Sequence, residues 1–228
     1  MRIKAYKKEK QLSQECVEKV TAFITREHRG RRELLVFDHG LSGTQVPAGT
    51  VEYGEALEAA VLREVQEETG YNGRILQLLG QETLDLGEAQ RMMVKHVLLR
   101  QAPSADAEVV APEEILGNAL RRGLTVRLER QQEGWAYVYL EEFNHEVEPP
   151  RIIRSVGGWV PGDTLSRWVR RSFFQVQLYD ETPERWEQFA EGQYTFHLYW
   201  QPLEPIPHLV APQQAWLARF YTHLFDIQ

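Results

Sequence analysis

The sequence predicts an α/β protein, and two kinds of segment carry that prediction. The runs at 172–179 and 194–200 alternate apolar and polar residues as strands do, 17–27 contains a β-branched run, and 33–37 has the apolar residues of a second strand. Residues 55–69 instead repeat apolar residues at helical spacing. The 228 residues are 43% hydrophobic and 26% charged, which is typical of a globular protein with one large domain or one domain carrying an insertion.

The remaining elements follow from local signals in chain order. The strands at 17–27 and 33–37 form a hairpin, and an extended piece at 45–49 leads to the helix. Acidic residues near the start of that helix complement its dipole, and Gly70 is placed as its C-terminal cap. The other predicted elements are strands at 75–84 and 92–100, a short helix at 113–122, a hairpin of 124–128 and 135–140, connections at 147–151 and 157–164, a short helix from 182, and a closing helix at 212–225.

Three glutamates near the end of the 55–69 helix predict its chemistry. Glu64, Glu67 and Glu68 are spaced i, i+3 and i+4, so their carboxylates project to one side. Glu64 and Glu68 point along the apolar stripe of the helix, where a solvated acidic face would not put them. Such charges repel each other unless a cation lies between them, and hard divalent cations prefer carboxylate oxygens. The pattern predicts a metal site, with a solvated acidic face as the alternative.

The same segment resembles the signature of the Nudix hydrolases, the MutT-like family, which reads G-x5-E-x7-R-E-U-x-E-E-x-G-U with U aliphatic. The fixed positions are all filled, by Gly49, Glu55, Arg63, Glu64, Glu67, Glu68 and Gly70. Val65 fills the first U, and Tyr71 departs mildly from the second. Seven such matches arise by chance on the order of once in 10⁵ to 10⁶ chains of this length. The resemblance covers residues 17–84 well and the rest only in pattern.

The resemblance implies a Nudix α/β/α sandwich with a mixed sheet, and divalent-metal-dependent hydrolysis of a nucleoside diphosphate linked to another moiety. The implied metal ligands are the Gly49 carbonyl and the carboxylates of Glu64, Glu67 and Glu68. The implied catalytic residues are Glu64 and Glu68, either of which acts at the water, and Arg63, which orients carboxylates by ion pairs. Glu55 supports the loop before the helix. Mg²⁺ is the expected cation, with Mn²⁺ as a substitute.

The domain limits and the remaining site residues are less constrained. Residues 1–16 are expected to form an N-terminal strand or tail, and residues 17–228 a Nudix domain with a β-rich insertion at about 85–169. The alternative closes the core near residue 145 and leaves a C-terminal subdomain. Substrate-binding residues are unassigned. Candidates by residue type are Glu82, Glu113, Glu114, Glu141 and Glu142 for the general base, and Trp135, Trp159 and Trp168 for stacking on a base, with packing as the simpler interpretation of the tryptophans.

The composition limits the kinds of molecule that the protein is expected to bind. The net charge of −7 argues against binding of nucleic acids or anionic membranes, both of which require a basic surface. Cys16 is the single cysteine, and no apolar run is long enough to span a membrane, so a cytoplasmic location is expected. The expected partner is a small-molecule nucleotide or another diphosphate, and a homodimer is left open.

Two other functions are compatible with the pattern. One is a Nudix-like module that binds or senses a nucleotide without cleaving it, and the other is a structural metal site. The positions that distinguish family subgroups hold Leu86, Gly87 and Glu88, which match neither an ADP-ribose nor a dinucleoside polyphosphate marker. The acidic stretch there is expected to disfavour highly charged polyphosphates by repulsion.

Overall fold

The structure is a computed structural model that describes residues 16–39, 43–110, 119–144, 147, 149–190 and 194–225. The chain divides into two compact units. The box unit comprises Lys19–Gln81, Asn144–Pro150 and Arg171–Gln228, and contains the segment with the Nudix signature. The β-rich unit comprises Met1–Glu18, Glu82–Phe143 and Arg151–Arg170. This division does not test the predicted insertion at 85–169, which stays a prediction.

The described residues form strands and helices in the following order. The strands are β1 (Cys16–His28), β2 (Arg31–Asp38), β3 (Thr44–Gln45), β4 (Ala48–Thr50), β5 (Gly73–Asp85), β6 (Gln90–Met93), β7 (Thr125–Gln132), β8 (Trp135–Asn144), β9 (Arg151–Pro161), β10 (Leu165–Ser166), β11 (Trp168–Leu178), β12 (Arg185–Ala190) and β13 (Tyr194–Pro202). The helices are α1 (Leu57–Thr69), which follows β4, and α2 (Gln213–Phe220), which is extended by a 3₁₀ turn over Tyr221–Leu224.

The large sheet has a helix on each face. Its strands run in the order β12-β13-β2-β1-β11-β5, with β3 paired to β2 and β4 paired to β1. Side chains alternate between the faces, as a strand requires. On β1, Ile24 packs in one core with Val61 and Val65 of α1, whereas the adjacent Phe23 packs in the other core with Phe220 of α2. These two cores confirm the predicted α/β fold.

The β-rich unit has a separate sheet and a separate core. Its strands run in the order β10-β6-β7-β8-β9, and β7 and β8 form the predicted antiparallel hairpin around Gly134, whose φ is 82°. Val126, Ala136, Val138 and Val160 bury one face of this sheet. Arg127 of β7 is paired with Tyr139 of β8, and the Arg127 guanidinium lies 4.3 Å from the ring centroid of Tyr139.

Two sequence-based assignments are wrong. Residues 157–164 were expected to form a connection, yet β9 continues to Pro161. A Cβ on Gly157 would lie 2.8 Å from the hydroxyl of Tyr137, so the glycine makes room for side chains of the neighbouring strand. Residues after 182 were expected to begin a helix, but β12 pairs with β13 in antiparallel register.

One other predicted strand is shorter in the structure, and two predicted segments fall mainly outside the described residues. The strand predicted at 92–100 ends at Met93, and Val97 and Arg100 make only isolated bridges. The predicted helix at 113–122 falls mainly on residues 111–118, and the predicted tail on residues 1–15, which lie outside the described residues. Among the helices of the described residues, none is both long and apolar enough to cross a membrane.

Candidate active site

The loop before α1 brings the backbone of Gly49 against the helix. β4 pairs with β1 so that Gly49 lies opposite Val20, and Thr50 opposite Lys19. The carboxylate of Glu64 occupies the space beside the Gly49 Cα: a Cβ there would lie 1.9 Å from Cδ and Oε1 of Glu64. A glycine at position 49 is therefore required for Glu64 to point at this strand.

Arg63 organises the acidic residues, and all five of its N–H groups are used. Its Nε and Nη2 donate to the two carboxylate oxygens of Glu55, at 2.9 and 3.0 Å. Its Nη1 donates to Glu64 at 2.8 Å and to Glu67 at 3.1 Å, and Nη2 also donates to the carbonyl of Thr50 at 3.0 Å. These bonds, led by those to Glu55, raise the Arg63 pKa above its ordinary value. A guanidinium has five donors, so none remains for another ligand.

The box glutamates (Glu55, Glu64, Glu67 and Glu68) have different environments. Glu55 accepts the backbone N–H of Glu52 at 2.8 Å, and its bonds to Arg63 hold its pKa below the ordinary value. Burial raises the pKa of Glu64, although the charge and hydrogen bond of Arg63 oppose that rise. Glu68 is 5% exposed and accepts the backbone N–H of Ala48 at 3.1 Å. The Glu67 side chain is 51% exposed.

A cavity of about 340 Å³ adjoins these carboxylates within the box unit. Glu64, Glu67 and Glu68 line it from α1, and Gln188 and Ala190 line it from β12. The Nε2 of Gln188 donates to the carbonyls of Glu67 at 3.3 Å and of Phe189 at 3.4 Å. The Nε1 of Trp186 donates to the carbonyl of Thr69 at 2.8 Å, which fastens β12 to the end of α1.

The lining residues Gln188 and Ala190 were not predicted from the sequence, because residues after 182 were expected to form a helix. The usable signal was the alternation along 185–190, where Arg185, Glu187 and Phe189 are exposed and the residues between them face inward. That two-residue period is typical of a strand with one buried face.

The residues present fit a hard divalent cation. The Glu64 carboxylate lies beside the Gly49 Cα and Glu68 accepts the Ala48 N–H, so two carboxylates converge on the same short stretch of backbone. The donors are all oxygens, the type that Mg²⁺ and Mn²⁺ prefer. The space beside the Gly49 Cα admits a carboxylate where a Cβ would exclude it. Gly70, at φ 80°, ends α1 as the predicted cap, with its N–H donated to the carbonyl of Gln66.

Comparison with known families agrees with this geometry. The family model of the NUDIX domain matches residues 17–120, which include the whole box. Residues 17–120 of this chain are therefore a NUDIX domain. The recognition made from the box is thereby confirmed. The family match ends at residue 120, inside the segment predicted as an insertion at about 85–169. The insertion therefore stays a prediction.

Individual Nudix relatives match shorter parts or match distantly. The ADP-sugar pyrophosphatase of Mus musculus is 38% identical over 69 residues, which are 30% of this chain and 31% of that protein. The chain spans less than a third of the length of the curated relatives it matches. A solved UDP-X diphosphatase is 13% identical, with a TM-score of 0.42, over 98% of this chain and 73% of that chain. A Nudix hydrolase from Nitrosomonas europaea is 14% identical, with a TM-score of 0.43, over 91% of this chain and 89% of that chain.

The other predicted candidates lie in the β-rich unit or outside the described residues. Glu141 pairs with Arg127 at 2.9 Å, and Glu142 with Arg154 at 3.5 Å. Glu82 lies on β5, whereas Glu113 and Glu114 are among the undescribed residues 111–118. Trp159 is 5% exposed, and its ring lies 5.3 Å from that of Tyr137, as packing requires. Trp135 begins β8 and Trp168 begins β11.

Proposed function

We propose that this Nudix protein is a pyrophosphohydrolase that cleaves a nucleoside diphosphate linked to another moiety and depends on a divalent cation, Mg²⁺ or Mn²⁺. The observation that carries the proposal is the convergence of Glu64 and Glu68 on the Ala48–Gly49 backbone. Helix positions i and i+4 deliver both carboxylates, and glycine clears the space between helix and strand. An acidic surface without a catalytic task needs neither feature.

The proposed ligands are Glu64, Glu67, Glu68 and the Gly49 carbonyl. A bound divalent cation in such a site neutralises phosphate charge and makes a water molecule nucleophilic at neutral pH. The chain's own residues prepare the site for it. Arg63 holds Glu64 and Glu67 with one nitrogen, so both carboxylates keep a fixed orientation. Ala48 holds Glu68 in the same way.

The environments of the glutamates divide their roles. Glu68 is buried and fixed by a backbone amide, and Glu64 is partly buried against Gly49, so either can accept a proton from a water at the cavity. Glu67 is half-exposed and is the ligand nearest to solvent. Glu55 does not line the cavity and acts through Arg63, so it is a positioning residue.

The test replaces Glu68 by glutamine and measures product release from ADP-ribose, ADP-glucose and diadenosine tetraphosphate with buffered free Mg²⁺. The amide oxygen still accepts the Ala48 N–H, so we expect the fold to persist while kcat falls by at least about 10²-fold. Glu58→Gln is the matched control, because Glu58 is an exposed acid on the first turn of the same helix.

The outcomes separate an enzyme from a binding module. Turnover in the parent protein and in Glu58→Gln, with its loss in Glu68→Gln, supports the proposal. Unchanged turnover in Glu68→Gln would overturn the role of the box. Tight nucleotide binding by the parent protein without product from any of the three substrates would favour the sensing module instead.

A further inference from the structure

We propose that His28, Glu33 and Glu184 form a binding site for a divalent metal ion of the zinc class, separate from the box glutamates. One ligand atom from each of the three residues lies within 4.8 Å of the other two. The site is distinct from the box, because His28 ends β1, eight residues beyond Val20, which lies opposite Gly49. Eight residues of a strand span about 26 Å.

Strand pairing and a short segment before β12 bring the three side chains together. Arg26 lies opposite Glu33 across β1 and β2, and His28 is two residues further along the same face of β1. Glu184 is held beside them, because the backbone N–H of Trp200 donates to the Glu184 carbonyl at 3.3 Å. The ligands therefore come from three places in the chain that the large sheet positions.

The distances between the ligand atoms suit a small divalent cation. The Nδ1 of His28 is 3.2 Å from Oε1 of Glu184 and 3.8 Å from Oε2 of Glu33. In a tetrahedral zinc site with bonds of about 2.0–2.1 Å, neighbouring ligand atoms are about 3.3 Å apart. Small rotations of the side chains would complete the coordination. An imidazole nitrogen with two carboxylates suits Zn²⁺ better than Mg²⁺, which prefers oxygen ligands throughout.

The charge around the site favours a cation even though an arginine is already present. Arg26 donates to Glu33 at 2.7 Å and to Glu184 at 2.6 Å, and its guanidinium lies 4.3 Å from the ring centroid of Trp200. One arginine offsets only one of the two carboxylate charges. A carboxylate has about four lone-pair positions, so each glutamate keeps positions for a metal ion beside its bond to Arg26.

A cavity of about 450 Å³ gives an ion access from solvent, and both His28 and Glu184 line it. Acidic side chains outnumber arginines in its lining, with Glu27, Asp180, Glu181 and Glu184 against Arg26 and Arg29. Three protein ligands leave a further coordination position, which water from the cavity can fill. The arrangement therefore matches an exchangeable ion and not a closed structural centre.

The experiment measures binding of Zn²⁺ by equilibrium dialysis in about 10 mM Mg²⁺, which in excess competes for the proposed all-oxygen site of the box. We expect the parent protein to bind Zn²⁺ and His28→Ala to bind it at least about tenfold more weakly, since loss of a group that only orients a ligand already costs about 10–100-fold. Glu184→Gln should show a loss of the same order.

The matched control is His197→Ala, because among the described residues His197 pairs with one carboxylate, that of Glu187 at 3.4 Å, instead of two. This variant should retain the Zn²⁺ affinity of the parent within about twofold. A second measurement needs no substitution: in the parent protein, Zn²⁺ should shift the imidazole ¹⁵N resonances of His28 and leave those of His197 in place.

Each result bears on the inference. Absence of Zn²⁺ binding by the parent, equal affinity in His28→Ala, or an unshifted His28 imidazole would overturn it. An equal loss of affinity in His197→Ala would show general binding by histidines and would overturn it as well. None of these outcomes bears on the proposed hydrolysis, which Glu68→Gln tests separately.

Discussion

Gly49 leaves room for the Glu64 carboxylate, so alanine at position 49 perturbs the site directly. The added Cβ would lie 1.9 Å from Cδ and Oε1 of Glu64 and 2.2 Å from its Oε2. Ordinary van der Waals contact begins at 3.4 Å, so the carboxylate must retreat by about 1.5 Å. The Glu64 side chain is 12% exposed, which leaves it little free space for that movement.

The retreat has two consequences of different size. It breaks the 2.8 Å hydrogen bond from Arg63, and a hydrogen bond to a charged group contributes about 1.5–3 kcal/mol to stability. It also displaces a proposed metal ligand by more than 1 Å, and misplacements of that size lower rates by about 10²-fold. We therefore expect Gly49→Ala to lose about 1.5–3 kcal/mol of unfolding free energy and at least about 10²-fold in kcat/KM.

Urea unfolding and turnover of ADP-ribose measure the two effects separately. The matched control is Glu64→Asp, alone and combined with Gly49→Ala, because aspartate withdraws the carboxylate by one methylene group. In the double variant the stability loss from alanine should be smaller than in the parent background, by about 1 kcal/mol. An alanine variant with parental stability and parental turnover would refute the reasoning.

Three further predictions follow from single contacts. Arg63 lowers the Glu55 pKa, so Glu55→Gln should lose its full increment of unfolding free energy at neutral pH, and this loss should vanish as the pH falls through the folded-state pKa of Glu55. Urea unfolding of both proteins between pH 7 and 3 measures the difference. A difference in unfolding free energy that grows in acid would contradict the prediction. Trp186→Phe removes the indole hydrogen bond to the end of α1 and should cost about 0.5–1.5 kcal/mol in the same assay, with no cost arguing against the bond. Gly157→Ala should cost about 1–3 kcal/mol by overpacking β9, and unchanged thermal stability would mean that the neighbouring tyrosine yields freely.

Local signals predicted the strands and helices that depend on near neighbours. The 3.6-residue period placed α1 within two residues of its start, and Gly70 marked its end because αL geometry suits glycine. The β-branched and apolar runs located β1 and β2, and the two-residue period located β11 and β13. The predictions at 157–164 and after 182 were wrong because strand pairing decided the structure there: β9 lies beside β8, and β12 pairs with β13.

The box residues could be named in advance because their spacing alone puts Glu64, Glu67 and Glu68 on one side of a helix. The sequence by itself therefore predicted the NUDIX domain and the acidic cluster. Only the tertiary structure decided what lies across from that cluster: Gln188, which is 121 residues from Glu67. Chain proximity carries no information about such a contact, because strand pairing within the large sheet sets it.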